Sequence, residues 1–239
     1  MDQYSRTRLL LGDEAMQKLK SSRVAVFGLG GVGGYVVEAL ARSGVGALDL
    51  IDHDTISHSN LNRQILALHS TLGQSKAAAA ADRVRDIDPN IRITVHETFY
   101  LPETAAQFDF RQYDYVVDAI DTVTGKLMLI RQAKDAGTPI ICSMGTGNKL
   151  DPSAFRVADI SETTVCPLAR IMRKECKKRG LGKVKVVFST EEPLSSRVDA
   201  ATEAIPEGRR ALPGSIAFVP AAAGLILAGE VVKDLAAIP

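Results

Sequence analysis

The stretch "RVAVFGLGGVGG", residues 23–34, decides the fold. Val24 to Phe27 form a compact apolar run, the signature of a buried strand. Glycines come directly after it, at Gly28, Gly30, Gly31, Gly33 and Gly34. The spacing Gly28-x-Gly30-x-x-Gly33 lies between that strand and a helix-forming run, "GVGGYVVEALARSGV" (31–45). In this context glycines make a tight turn and let the backbone approach a phosphate, while the helix N-terminus offers free amides to an anion. Asp52 ends the next strand, "ALDLID" (47–52). That is close to the offset of about 20 residues at which an acid holds a ribose.

The same alternation continues outward. "QSKAAAAADRVRDID" (74–88) is a helix stopped by Pro89, with Lys76 at its exposed start. "IRITVH" (91–96) is a third strand and "YDYVVDAID" (113–121) contains a fourth. "TGKLMLIRQAKDAG" (124–137) is a helix closed by Gly137, and "PIICSM" (139–144) is a fifth strand. A short helix precedes them all at 13–20. Strands alternating with helices imply a Rossmann-like α/β fold, with a mostly parallel sheet and helices on both faces. After residue 150 the rhythm changes. "AFRVADI" and "VKVVFST" read as strands flanking a basic helix near 166–180, and an apolar helix ends the chain after a polar loop at 191–213. The expected organisation is one domain over 1–239, with a nucleotide-binding core to 150 and a C-terminal elaboration of the same sheet from 151 to 239.

Composition narrows the class without naming a partner. Hydrophobic residues make up 46% and charged residues 24%, ordinary for a soluble globular protein, and the net charge of +1 predicts no partner. Cys142, Cys166 and Cys176 form no Cys-x-x-Cys pair, which argues against a four-thiolate zinc site and a disulfide framework. The charged N-terminus has no apolar signal core, and the longest apolar run, "IAFVPAAAGLILAG" (216–229), is too short to span a bilayer. A reducing, cytoplasmic setting is expected.

The residues after Asp52 do not suit a nicotinamide site. "LIDHDTISHSNLNRQ" (50–64) brings Asp54, Ser59, Asn60, Asn62, Arg63 and Gln64 immediately after the ribose acid, and Lys76 comes 13 residues after Arg63. A hydride-transfer site handles only a pyrophosphate. Two long cations suggest more negative charge, with Arg suited to bidentate phosphate contact and Lys to a point charge. Asp118 and Asp121 then fall just past a strand end, where open α/β sheets bind ligands. A carboxylate there suits Mg²⁺ on phosphate oxygens. Together these features describe an ATP site. A nicotinamide oxidoreductase keeps only the glycine fingerprint in its favour.

This combination resembles the adenylating superfamily of ubiquitin-activating enzymes. Its bacterial, ThiF- and MoeB-type members include enzymes that adenylate sulfur-carrier proteins. The resemblance implies that Asp52 holds the ribose, and that Asn60, Arg63, Gln64 and Lys76 contact the phosphates. It implies that Asp121 sits at the metal and the reacting phosphate. "YSRTRLL" (4–10) resembles the family's arginine segment, in which Arg6 reaches the ATP of the other subunit of a homodimer, with Arg8 as the alternative. Sulfur-carrier-activating members carry two Cys-x-x-Cys pairs for structural zinc, and this chain has none. The stretches "SMGTGNKLDP", "VADISETTVCPLAR", "KVVFSTEEP" and "SIAFVPAAAGLILAGEVV" are instead similar to the tRNA threonylcarbamoyladenosine dehydratases. That similarity implies ATP-dependent cyclisation of a threonylcarbamoyl group on a tRNA adenosine, and leaves room for a sulfur-transfer partner. Activation of a carrier protein's C-terminal glycine stays open as the alternative.

One segment is charged out of proportion. Residues 166–185 contain eight Arg or Lys and one acid, so the segment is +7 and the rest of the chain −6. A concentrated cationic patch suits an RNA backbone, with Arg173, Lys174, Lys177 and Lys178 as candidates. The bland alternative is a solvated helix face. Cys166 precedes Pro167 at a helix start, where a thiolate is favoured, but ring closure requires no thioester. The four histidines, His53, His58, His69 and His96, show no metal-ligand spacing.

Overall fold

The computed structural model describes residues 2–195 and 213–238. Three parallel strands, β1 (Arg23–Phe27), β2 (Ala47–Ile51) and β3 (Arg92–His96), run outward in one direction. Two more, β4 (Tyr115–Asp118) and β5 (Ile140–Ser143), continue parallel on the other side of β1. The crossovers are the helices α2 (Gly33–Ser43), α3 (Lys76–Ile87) and α4 (Val123–Ala136). The chain leaves β1 in both directions, so a crevice opens between β1 and β4 at the C-terminal ends of the strands, where such sheets bind ligands.

The C-terminal part extends this sheet. β7 (Lys185–Ser189) pairs parallel with β5, and β6 (Phe155–Asp159) closes the edge antiparallel to β7. The full order is β3-β2-β1-β4-β5-β7-β6. Between β6 and β7 runs α5 (Pro167–Lys178), and the last helix is α6 (Phe218–Ala236).

Local chemistry explains the boundaries. β1, β2, β4 and β5 are apolar and buried almost throughout, as central parallel strands must be, whereas the edge strand β3 is largely exposed. α2 and α4 end on Gly44 and Gly137, which adopt the left-handed conformation at φ 89° and 71°. One core lies between the sheet and α1, α2, α3 and α6, where α1 (Ser5–Ser21) is the first helix. The second lies on the α4 and α5 face and holds the aromatic side chains Phe27, Tyr100, Phe108 and Phe110. α6 packs so closely on α2 that a β-carbon on Gly224 would meet the Val32 carbonyl oxygen at 2.4 Å. No helix among the described residues is long and apolar enough to cross a membrane.

One element is longer than the sequence expectation, and one expectation is left untested. The helix expected at 13–20 is present, and a further helical stretch from Ser5 precedes it across a break at Gly12, whose backbone (φ 80°, ψ 168°) is not helical. Most of the expected loop at 191–213 lies outside the described residues.

Candidate nucleotide-binding site

The glycine loop is built from close backbone approaches. Gly28 donates to the Ile51 carbonyl at 2.8 Å and has φ 88°, and a β-carbon there would lie 2.7 Å from the Ala119 carbonyl oxygen. A β-carbon on Gly33 would lie 1.8 Å from the Gly28 oxygen. Gly30 differs. Its missing side chain faces open space, with only Gln64 Nε2 within 4 Å, at 3.9 Å. Gly31 packs under Pro220 and the Arg63 stem. The N-terminus of α2 thus stands open toward a cavity of about 460 Å³, where the helix dipole favours an anion, although the Gly34 and Tyr35 amides already donate to the Gly30 and Val32 carbonyls.

Asp52 braces this loop. One carboxylate oxygen accepts from Leu29 N at 2.6 Å and the other from Asp54 N at 2.8 Å. A carboxylate has about four acceptor sites, so Asp52 retains capacity for a ribose hydroxyl while lining the cavity.

The 57–64 segment opens with a short 3₁₀ helix, His58–Asn60, at whose start Asn60 Oδ1 accepts from Ser57 N at 3.1 Å. The turn directs Asn60, Arg63 and Gln64 to the cavity wall. Ser59 and Asn62, expected at the ligand, do not line it. They hold Arg63 instead: its Nη1 donates to the Ser59 carbonyl at 2.8 Å and to Asn62 Oδ1 at 2.9 Å. Asn62 in turn donates to the Ser215 carbonyl at 3.0 Å. Burial pulls the Arg63 guanidinium below its ordinary pKa, and no carboxylate among the described residues pairs with it. Gln64 Oε1 is buried without a hydrogen-bond partner among the described residues. A desolvated cation and an orphaned acceptor on one wall are what a ligand carrying both negative charge and a hydrogen-bond donor would complete.

Lys76 is not at an exposed helix start. It is 5% exposed, and its Nζ lies 2.6 Å from Asp54 Oδ2. A bridge between Thr55 and Ser75 folds the start of α3 against the loop after β2, covering the lysine stem while the residue still lines the cavity. Asp54 also lines the cavity and pairs with both Lys76 and His53.

Asp118 is the clearest correction. It is the last residue of β4, fully buried, and does not line the cavity. Burial pushes its carboxyl up, and the ammonium of Lys126, 3.0 Å from both oxygens, acts against that. Asp121, three residues on, does line the cavity, with Ala119, Ile120 and Thr122.

Other walls come from residues given no role in the sequence reading, although Thr146 and Ser215 fall inside stretches that carry the resemblance. Thr98, Phe99 and Tyr100 come after β3, Thr146 after β5, and Ser215 before α6. The findable signal is positional, because loops leaving the C-terminal ends of parallel strands border the ligand crevice. Carboxylates at Asp52, Asp54 and Asp121 give this wall hard oxygen donors of the kind Mg²⁺ prefers. Asp52, His53 and Asp54 also bring ligand atoms within 4.8 Å of one another.

The remaining candidates lie elsewhere. Arg6 is exposed on α1 and does not line the cavity of its own chain, while Arg8 is paired with Asp2 and Asp13. On α5, Lys174, Lys177 and Lys178 are exposed, but Arg173 is half-buried and donates to the Thr163 carbonyl and hydroxyl. Lys185 leaves the basic patch to pair with Glu230 and Asp234. All three cysteines are free and buried.

A glycine loop at a switch point, with a carboxylate (Asp52) and two cations (Arg63 and Lys76) lining one cavity, is the arrangement of an α/β nucleotide-binding fold. The chain belongs to the ThiF family, whose model matches residues 4–239. It is 44% identical to the tRNA threonylcarbamoyladenosine dehydratase of Bacillus subtilis, over 98% of this chain and 95% of that protein. The Escherichia coli enzyme of that name is 36% identical, over 98% and 93%. The crystal structure of the E. coli dehydratase in complex with ATP matches with a TM-score of 0.86 at 35% identity, covering 98% of this chain and 94% of that one. Its complex with AMP matches at 0.88 and 34% identity, with the same coverage.

Proposed function

We propose that this protein is a tRNA threonylcarbamoyladenosine dehydratase that uses ATP to activate and cyclise its substrate. The observation that carries the reading is Arg63, a partly desolvated guanidinium fixed over the glycine-loop cavity without an acid partner among the described residues. Such a group is arranged in advance for phosphate charge.

The substrate carboxylate attacks the α-phosphorus of ATP. An O–P bond forms, the bond to the β-phosphate bridging oxygen breaks, and pyrophosphate leaves with the electron pair. Arg63, Lys76 and the α2 terminus offset the charge that develops. Asp121 would hold the Mg²⁺ that accompanies ATP, which neutralises phosphate charge when bound. The carbamoyl nitrogen then attacks the activated carbonyl, its proton departs, and AMP leaves. The ring closes with net loss of one water. Both reacting groups belong to one substrate, so the second step has the advantage of proximity. Neither step consumes sulfur, so a sulfur-transfer partner would act on the protein rather than supply an atom of the product. The exposed lysines of α5 are the part of this chain proposed to hold the tRNA backbone, and the substrate puts the reaction in the cytoplasm.

Mass spectrometry of tRNA nucleosides from cells lacking this protein tests the reading. The cyclic nucleoside should vanish and the open threonylcarbamoyl form should accumulate. Pyrophosphate exchange supported by a carrier protein but not by tRNA would overturn it.

The working unit is proposed to be a homodimer. Arg6 does not line its own chain's cavity, and beside it on α1 Leu9 and Leu10 are 87% and 86% exposed. That apolar pair suits burial against a second copy, carrying Arg6 to the neighbour's site. Mixing inactive Arg6→Ala with inactive Asp121→Ala should restore activity through hybrid sites, and a fully active monomer in light scattering would remove the idea.

A further inference from the structure

Beneath the nucleotide cavity lies a charge pair sealed from solvent. Lys126 sits in the first turn of α4 and Asp118 closes β4, and both side chains are 0% exposed. An ammonium has three donors, and three oxygens surround this one: Asp118 Oδ1 and Oδ2 at 3.0 Å each, and the Ser143 carbonyl at 2.7 Å. Asp118 Oδ1 also accepts the Ile120 N–H at 3.2 Å. One side chain therefore ties α4 to the ends of β4 and β5, at the point where the chain enters the 119–122 loop. That loop forms a wall of the cavity and presents Asp121. Its first residue is pressed against the glycine loop, since the Ala119 carbonyl oxygen occupies the place of a Gly28 β-carbon.

Packing alone does not explain the pair. Taking two charges out of water is costly, and apolar replacements of buried pairs are often neutral or stabilising. What apolar side chains lack is direction. An ammonium fixes three oxygens at set distances, and the loop beyond Asp118 inherits that register.

We propose that Lys126 is a positioning residue for the adenylation step, spanning Asp118 and the Ser143 carbonyl so that the 119–122 loop holds Asp121 at the reacting phosphate. The proposal rests on the reading of the cavity as an ATP site. Its signature is a loss of turnover without a loss of ATP affinity, because the glycine loop, Asp52 and Arg63 bind the nucleotide from other elements.

The test compares the full-length protein with two variants. Lys126→Met combined with Asp118→Asn leaves no lone buried charge, so the fold should persist in a thermal melt. Its ATP dissociation constant by calorimetry should stay within about threefold, while kcat for tRNA-supported pyrophosphate exchange falls on the order of 10²-fold, the scale of a displaced reacting group. Lys126→Arg keeps the charge, but a planar guanidinium cannot match the three-oxygen geometry, and kcat should fall about tenfold with unchanged affinity. Unchanged kcat in Lys126→Arg overturns the proposal, and does so even if the double variant melts early. So does a matched fall in affinity and kcat, which would make the pair a general support of the cavity. Wild-type protein that binds no ATP removes the site reading itself, and that result precedes any variant.

Discussion

The charges of the nucleotide cavity and those of α5 are organised in opposite ways. In the cavity they are few and fixed: Lys76 is buried on Asp54, Arg63 is held by Ser59 and Asn62, and Asp52 is tied to two backbone amides. On α5 they are many and loose. Lys174, Lys177 and Lys178 project into solvent, with no ion pair among the described residues. A charge already desolvated and oriented acts at full strength when a reaction develops charge beside it. An exposed charge acts through a field that salt screens within about 10 Å at 0.1 M. The cavity should therefore be sensitive to single substitutions and indifferent to salt, and α5 should be the reverse.

The largest effect should come from Arg63→Ala. Pyrophosphate exchange should fall about 10²- to 10³-fold, as when one preorganised donor is removed from a site. Lys76→Ala should cost on the order of 10²-fold in the same assay. A loss of similar size from either substitution that disappears in high salt would break the comparison, because it would mean these charges act at long range.

On α5 the effect should be spread over several residues. Replacing Lys174, Lys177 and Lys178 with Ala should flatten the slope of log tRNA affinity against log salt by up to about three units, since each phosphate contact adds nearly one. ATP binding should not change. Single replacements should shift the slope by about one unit each. An unchanged slope in the triple variant would return the helix to the role of a solvated face.

The smallest effect concerns a fixed charge remote from the cavity. Asp49 is buried in β2, where Arg23 engages both its oxygens at 2.8 and 2.9 Å and His96 lies 3.0 Å away. Burial alone would raise its carboxyl, but the hydrogen bonds from His96 and Arg23 overcome that and hold it below the usual carboxylate range. A carboxyl lowered in the folded state stabilises above its unfolded pKa, about 3.9, and that stability is lost as pH falls toward the folded value. The melting temperature of the wild type should therefore drop below about pH 4, and Asp49→Asn should start lower and respond less there. Its turnover at neutral pH should stay within about twofold, since the substitution acts on stability. A large turnover loss would mean that fixed charge anywhere in the sheet feeds the site.

The sequence revealed features whose cause is local. Glycine spacing, apolar strand runs and the Pro89 and Gly137 stops are properties of neighbouring residues, and β1 to β5 fall where they indicate. Features that depend on distant partners stayed hidden. Lys126 reads as an ordinary helix cation until Asp118 and Ser143 close over it. Lys76 reads as exposed until Thr55 pairs with Ser75. Ser59 and Asn62 belong to the right segment but stand one layer behind the cavity wall, because spacing along the chain does not say which side of a turn faces the ligand. Thr98 and Phe99 carry no motif, and only the strand order brings them to the crevice.

The glycine loop holds two kinds of glycine, told apart by one absent carbon atom. At residues 28 and 33 the room for that carbon is filled by the protein's own backbone. At residue 30 the room is left empty. A methyl group at the first two positions is judged by the folding reaction, before any ligand arrives. At the third it is judged only by what enters the cavity. Within six residues the chain thus separates the demands of becoming a structure from those of being occupied, and the same mutation reports on one or the other according to its address.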